Sequence, residues 1–286
     1  MEKILITGCN GQLGNEMQQL ATQYPTFEYV FTDVKELDIT DPAAVRDFVR
    51  KHQPHCIVNC AAYTAVDRAE TDEKKCDLLN HIAPMYLAQA IEEQGGTMIH
   101  VSTDYVFDGT AFRPYTEDAP TCPATVYGRT KLAGEEAVTH HCPSAAIIRT
   151  AWLYSSYGNN FVKTMLRLGR EKEQLGVIFD QIGTPTYARD LAQVIFNMLT
   201  QGVRPGIYHF SNEGVTSWYD FTKAIHRIAG IRTCHVNPLH TEEYPTPARR
   251  PHYSVLDKTK IKETYHLEIP YWEDSLTECI QKLEQA

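Results

Sequence analysis

Several features are scarce in this 286-residue chain. No apolar run approaches the ~20 residues that a bilayer-spanning helix needs, so no membrane is expected. There is no excess of positive charge: 27 Lys and Arg stand against 36 Asp and Glu, a formal charge of −9. A phosphate backbone favours a basic surface, so nucleic acid is not expected as a partner. An anionic small molecule can still bind through local positive groups. The eight Cys (9, 56, 60, 76, 122, 142, 234 and 279) contain no Cys-x-x-Cys pair. Such thin scattering suits free or buried thiols in a reducing cytosol, not a disulfide scaffold or a zinc site. The twelve His lack ligand spacing, and no metal is assigned to them. The opening residues enter a strand pattern directly, so no signal peptide and a cytoplasmic location are expected. No internal repeat or low-complexity tract is present. What remains is an ordinary globular composition, 43% hydrophobic and 22% charged, enough to bury a substantial core.

The first half alternates short apolar runs with longer amphipathic stretches. Lys3–Thr7, Tyr29–Thr32, Cys56–Asn59, Met98–Ser102 and Ala145–Thr150 read as buried parallel strands. Helical patterns lie at Gly11–Tyr24, Pro42–His52, Asp72–Gln94 and from Tyr127. Strand and helix in alternation predict an α/β, Rossmann-type doubly wound parallel sheet. The second half is less regular. It has helical patterns at Phe161–Arg170, Ala188–Leu199, Trp218–Ile228 and Trp272–Leu283, the third with Ser217 and Asp220 as a capping box. Pro and Tyr crowd Tyr244–Tyr253, a surface segment suited to lining a pocket. The expected division is a dinucleotide-binding domain over 1–150 and a smaller C-terminal α/β substrate lobe over 151–286. Residues 175–200 are expected to pack back on the first domain.

The first strand runs into Thr7-Gly8-Cys9-Asn10-Gly11-Gln12-Leu13-Gly14. Gly8 permits a tight turn, Gly11 lets the backbone approach a pyrophosphate at a helix start, and Gly14 lets the helix pack close to the sheet. Glycines spaced this way are weak evidence alone; their position in the first strand-to-helix turn makes them a dinucleotide signal. Asp33, at the end of the second strand, can accept from adenosine ribose hydroxyls and so favours NADH; a solvated strand-end Asp is the alternative. Lys35 softens that preference. Asp38-Ile39 is placed to hold the adenine. Ala61-Ala62-Tyr63-Thr64 leaves the third strand with small residues that permit close approach.

Tyr127 and Lys131 lie four apart, on one helix face. A nearby ammonium and a nicotinamide cation would lower a Tyr pKa from about 10 and let it exchange a proton near neutrality. Thr103, at the mouth of an apolar strand, is placed to hydrogen-bond a carbonyl oxygen undergoing reduction. A Tyr-x-x-x-Lys spacing is common by chance, and Tyr219-Asp-Phe-Thr-Lys223 repeats it. Context separates the two, since only the first follows a strand of the dinucleotide half. Tyr219 reads as packing, as does the stripe Phe161, Met165 and Leu168.

Taken in order, these segments resemble the extended short-chain dehydrogenase/reductase superfamily and, within it, the family of dTDP-4-dehydrorhamnose reductases. The matching residues include Gly11-Gln-Leu-Gly14, Asn59-x-Ala-Ala-x-Thr-Ala-Val-Asp67 and Ser102-Thr-Asp-Tyr-Val-Phe107. They continue with Tyr127-Gly-x-Thr-Lys131, Arg149-Thr-x-Trp152 and Arg250-Pro251. The resemblance implies reduction of the 4-keto group of dTDP-4-dehydro-L-rhamnose by NADPH or NADH. It makes Tyr127 the proton donor, Lys131 the ribose and pKa partner, and Thr103 a substrate-orienting hydroxyl. It places Gly11, Gln12, Leu13, Asp38, Ile39, Ala62, Tyr63 and Thr64 along the dinucleotide. Thr103, Asp104, Tyr105 and Trp152 then face the sugar nucleotide, with Arg250 toward its diphosphate. The superfamily also holds epimerases and dehydratases of other sugar nucleotides, and a noncatalytic regulatory subunit of methionine adenosyltransferase. Tyr105 stands where dehydratases carry Glu after the Thr-Asp pair. Some members bridge a dimer through Mg²⁺ held by glutamates. Glu16 matches one such position, Arg189 replaces the second, and Lys282 or Glu284 aligns with the third. A guanidinium supplies no oxygen ligand, so a monomer or a homodimer without a metal bridge is expected.

Overall fold

The structure, a computed structural model, describes residues 1–285. Five strands of the first half, β1 (Glu2–Thr7), β2 (Phe27–Thr32), β3 (Cys56–Asn59), β4 (Thr97–Thr103) and β5 (Ala146–Thr150), pair in parallel. Their interleaved helices are α1 (Gln12–Ala21), α2 (Pro42–His52), α3 (Val66–Ala69), α4 (Glu73–Asp77), α5 (Ala83–Glu92) and α6 (Val126–His141). The strands are apolar on both faces because helices cover both. One layer packs Ile4, Ile6 and Val58 against Leu13, Met17 and Leu20 of α1. The other packs Leu5, Ile57 and Ile147 against Val45, Leu87 and Val138. Asp41 caps α2 by accepting from the amides of Ala43 (2.9 Å) and Ala44 (3.2 Å), ahead of Pro42.

The second half contributes short strands β6 (Leu153–Tyr154), β7 (Gln174–Ile178), β8 (Ile182–Gly183), β9 (Thr186–Tyr187), β10 (Gly206–Phe210), β11 (Thr216–Ser217) and β12 (His235–Leu239). Its helices are α7 (Phe161–Glu171), α8 (Ala188–Gln201), α9 (Trp218–Ile228), α10 (Thr259–Tyr265) and α11 (Trp272–Gln285). The central sheet has the order β10-β5-β4-β3-β1-β2, so its sixth strand comes from beyond residue 200. The expected return of 175–200 therefore divides. β7 pairs with β12 in the second lobe, whereas α8 covers the sheet beside α1 with Leu191, Ile195 and Phe196. The physical reason is burial: α8 is apolar enough to close a sheet face, and β10 then satisfies the open edge of β5. The second lobe keeps its own core of Tyr154, Val162, Phe221, Ile225, Trp272 and Leu276.

The helix expected over Asp72–Gln94 is interrupted by a π-helical turn at Leu78–Ile82. It turns the buried Asn80 toward the loop after β3. There its amide accepts from Tyr63 N (2.8 Å) and donates to Tyr63 O (3.1 Å) and the Thr130 hydroxyl (3.3 Å). π-turns of this kind recur at functional sites. At Ser217 the side chain caps α9 by accepting from Asp220 N at 3.0 Å, but Asp220 answers the Ser217 hydroxyl, not its amide.

Candidate active site

The strand order reverses between β1 and β3, and a crevice opens there beyond the carboxyl ends of the strands, as doubly wound sheets provide. It is a cavity of about 270 Å³ lined by Thr7, Gly8, Gly11, Asp33, Asp38, Ile39, Ala61 and Ala62, among others. Gly8 has φ +65°, and a Cβ there would sit 2.8 Å from the Ala61 amide nitrogen, so only glycine fits the turn. Gly14 lies beneath the turn, where a Cβ would collide with the Gly8 carbonyl and the Cys9 backbone. Gly11 caps α1 with no side-chain hydrogen bond, which leaves first-turn amides open to an anion. These features fit a dinucleotide pyrophosphate. Asp33 is tied into the turn: its carboxylate accepts from the amides of Asn10 (3.0 Å) and Val34 (2.8 Å). Tyr63 lines neither this crevice nor the next. Its amide and carbonyl are taken by Asn80, and its hydroxyl donates to Asp72 at 3.2 Å.

A second cavity of about 560 Å³ continues from Gly11, Gln12 and Leu13 to Thr64, Thr103, Asp104, Tyr105, Tyr127, Lys131, Trp152 and Arg250. The structure thus gathers Tyr127 and Lys131 on α6 with Thr103 at the end of β4. Thr125 caps α6 by accepting from Gly128 N at 3.0 Å, which fixes the start of the helix that carries the pair. Thr103 is oriented by its neighbours: its hydroxyl donates to Asp104 Oδ1 (2.9 Å) and accepts from Tyr105 N (3.2 Å). Burial pushes the Asp104 carboxyl up to about 7, opposed by the Thr103 hydrogen bond, and Asp104 Oδ2 has no partner.

The expected lowering of the Tyr127 pKa relies on a nicotinamide cation as well as an ammonium; the protein without cofactor behaves otherwise. Burial drives the Tyr127 phenol up, with Thr103 opposing and Asp104 adding to the rise. Lys131 Nζ donates to the Val101 carbonyl at 2.6 Å and lies 3.4 Å from His100 Nε2, and burial lowers its pKa to about 8. Tyr127 is therefore a protonated acid in the free protein.

A third cavity of about 500 Å³ opens in the second lobe between Phe161, Met165, Leu168, Leu175, Val177, Gln181, Trp218, Tyr244 and Arg250. All of the stripe read as packing, Phe161, Met165 and Leu168, lines this space while also packing on the second-lobe core. Trp152 adopts φ +49°, a strained conformation for a bulky residue, and its indole stacks on Trp218 at 3.5 Å and 11°. Arg250 lies between the two cavities, already engaged by Asp67 (2.6 Å) and the Tyr105 hydroxyl (2.9 Å). No site role was read from the sequence for Trp218, for Asn160, which donates to Gln12 at 3.0 Å, or for the buried pair Arg149–Glu135 at 2.7 Å. The signal for the last was a charged residue inside the apolar strand Ala-Ile-Ile-Arg-Thr.

At Glu16 the structure bears on the metal question. Ser155 donates to Glu16 Oε1 at 2.7 Å, and Arg189 sits 3.9 Å from Glu16 Oε2 and 3.3 Å from Glu278. Lys282 pairs with Glu278 at 2.8 Å, while Glu284 pairs elsewhere, with Arg170 at 3.3 Å. A guanidinium and an ammonium already neutralise these carboxylates, so the set does not fit Mg²⁺. EDTA is expected to leave activity and hydrodynamic size unchanged in a turnover assay paired with light scattering. Loss of both on chelation, restored by Mg²⁺, would contradict this.

The RmlD substrate binding domain family matches residues 1–285. Spore coat polysaccharide biosynthesis protein SpsK of Bacillus subtilis (strain 168) is 40% identical over 286 residues, 100% of this chain and 99% of its own. The dTDP-4-dehydrorhamnose reductase of Escherichia coli (strain K12) is 40% identical over 293 residues, 98% and 97% of the two chains. Among solved structures, a dTDP-4-dehydrorhamnose reductase from Clostridium acetobutylicum superposes with TM-score 0.94 at 45% identity over 99% of both chains. One from Bacillus anthracis, in complex with NADP, gives 0.94 at 40% identity over 98% of this chain and 99% of that one.

Proposed function

The chain belongs to the RmlD substrate binding domain family, and from that premise we infer that it reduces dTDP-4-dehydro-L-rhamnose to dTDP-L-rhamnose with NADPH or NADH. The observation that carries the reading is the continuity of the glycine-turn crevice with the chamber of Thr103, Tyr127 and Lys131. Residues 1–150, closed by α8 and β10, hold the dinucleotide, and most of 151–286 holds the sugar nucleotide. Gly8, Gly11, Gln12, Leu13 and Gly14 shape the pyrophosphate turn; Asp33, Asp38 and Ile39 take the adenosine; Ala62 and Thr64 flank the chamber. The nicotinamide, when bound, supplies the hydride for sugar C4. Thr103 orients the carbonyl by donating to its oxygen. Tyr127 gives that oxygen its phenolic proton, and Lys131 holds ribose hydroxyls and offsets the phenolate left behind. Asp104, Tyr105 and Trp152 bound the sugar, and Arg250 turns from Asp67 toward the diphosphate. Acceleration comes from orientation and from a proton donor already in place. The protein works in the cytoplasm as a monomer or as a homodimer without a metal bridge. No described helix is long and apolar enough to cross a membrane.

The test is oxidation of NADH and NADPH with a panel of 4-keto sugar nucleotides, with product stereochemistry assigned. Turnover of dTDP-4-dehydro-L-rhamnose to the L-rhamnose product is expected; turnover only of another 4-keto sugar would replace the substrate. The same assay measures cofactor choice. Both Asp33 oxygens accept backbone amides, which softens their repulsion of a 2′-phosphate, and exposed Lys35 lies two residues on. The preference is expected to stay under about a hundredfold, roughly 2.7 kcal/mol of differential transition-state binding. A larger ratio in favour of NADPH would show that Asp33 does not set it.

A further inference from the structure

Beneath the reaction chamber lies a buried polar chain that the proposed function does not use: Thr7 on β1, Asn59 on β3 and His100 on β4, ending at Lys131 on α6. Asn59 Oδ1 accepts the Thr7 hydroxyl at 2.6 Å and the Ala61 amide at 3.2 Å. A backbone N–H only donates, so the Asn59 side chain has one orientation, and its Nδ2 faces His100 Nδ1 at 3.0 Å. An amide nitrogen likewise only donates, so His100 Nδ1 is a bare lone pair. His100 is fully buried, and burial, then the Lys131 charge, holds its pKa well below the ordinary value, so the ring is neutral. Its one proton is therefore on Nε2, and that N–H is aimed at Lys131 Nζ, 3.4 Å away.

An ammonium has no lone pair to receive that N–H, and an amine has one. Against the charged lysine the contact sets two donors face to face; against the neutral lysine it is a hydrogen bond. We propose that His100 is a positioning residue that, through the tautomer imposed by Asn59, destabilises the Lys131 ammonium and poises it to return a proton to the Tyr127 phenolate after reduction. The transfer balances as Lys131-NH₃⁺ and Tyr127-O⁻ becoming Lys131-NH₂ and Tyr127-OH. The amine then accepts from His100 Nε2–H until a proton from water in the chamber recharges it. Burial places Lys131 at about 8, in keeping with that role. The other groups facing Lys131 are the Val101 carbonyl of β4, Cys76 of α4, and Glu135 and Tyr127 of α6. Glu135 favours the charged lysine but is held by Arg149 at 2.7 Å and by the Ser102 hydroxyl.

The inference rests on the proposed reductase activity in its kinetic arm only. In the first arm, long-range ¹H–¹⁵N spectra of histidine-labelled protein without ligands report the His100 tautomer, with His100→Gln assigning the signal. A neutral ring protonated on Nε2 is expected; a proton on Nδ1, or a charged ring, overturns the proposal even if the enzyme is an active reductase. In the second arm, the pH profile of kcat is measured at saturating cofactor and sugar nucleotide, so that it includes the proton return. Turnover falls as pH rises through the lysine pKa. His100→Gln can turn its carbonyl to the ammonium, and Asn59→Asp moves the histidine proton to Nδ1. Both are expected to carry the basic limb up by about one pH unit. A limb at the same pH in the native protein and both variants, with activity lowered evenly across the range, overturns the proposal and leaves His100 a packing residue.

Discussion

Tyr127→Phe is expected to cut turnover by about two to four orders of magnitude while nicotinamide cofactor binding persists. The substitution removes one hydroxyl and keeps the ring. That ring packs edge-on against Tyr105 at 5.4 Å and among Tyr63, Ala69, Cys76 and Val126, contacts that do not need the oxygen. The phenol is buried and protonated in the free protein, so its loss removes the proton donor and little else. Tyr219→Phe is the matched control. Tyr219 is partly buried against the second-lobe core and does not line the chamber, so its variant should keep near-native activity. Steady-state rates with cofactor titration by fluorescence decide the matter. A dead Tyr219→Phe beside an active Tyr127→Phe would move the active site to the second lobe.

The largest stability effect is expected at Arg149. Its guanidinium and the Glu135 carboxylate are 3% and 2% exposed, joined by Nε at 3.0 Å and Nη2 at 2.7 Å. Ser102 adds a third donor to Glu135, and Arg149 lies over the Phe107 ring at 5.1 Å. Arg149→Met leaves a buried carboxylate with its main partner gone, a loss of about 3–5 kcal/mol. Adding Glu135→Met should recover much of that loss, because the penalty is the stranded charge and not the absent attraction. Urea unfolding of the single and double variants tests this. A single variant within about 0.5 kcal/mol of the native protein, the range of ordinary surface changes, would mean that water reaches Glu135.

The order of β1 through β5 was legible because each strand is a short apolar run between amphipathic stretches, a pattern that only a sheet covered on both faces requires. The glycine turn was legible because Gly8 and Gly14 admit no Cβ, and a backbone constraint of that kind is written in residue identity. The Tyr127–Lys131 pair was legible only in context, since the same spacing recurs at Tyr219 and Lys223. β10 was not legible: Gly206–Phe210 is five residues long and becomes a sheet strand because β5 offers it an open edge. The π-turn at Leu78–Ile82 escaped for a similar reason, since the residue it serves, Tyr63, lies on another element. Trp152 and Trp218 are 66 positions apart in the chain, and nothing local to either announces their stacking.

Electrostatics divided along the same line. The sequence determined which groups are available to titrate: a phenol and an amine one helical turn apart, with a hydroxyl at the neighbouring strand end. Only the tertiary structure decided how they are charged. It tied the Lys131 ammonium to the Val101 carbonyl and His100, and it buried Lys131, His100 and Tyr127 alike. Likewise the sequence supplied Arg189 where a carboxylate would hold a metal, but the fold brought it together with Glu16, Glu278 and Lys282 into one neutralised cluster. The reason is common to every case. Residue identity and spacing carry local backbone constraint and periodicity, whereas desolvation and Coulomb interaction depend on neighbours that only folding brings within a few ångströms.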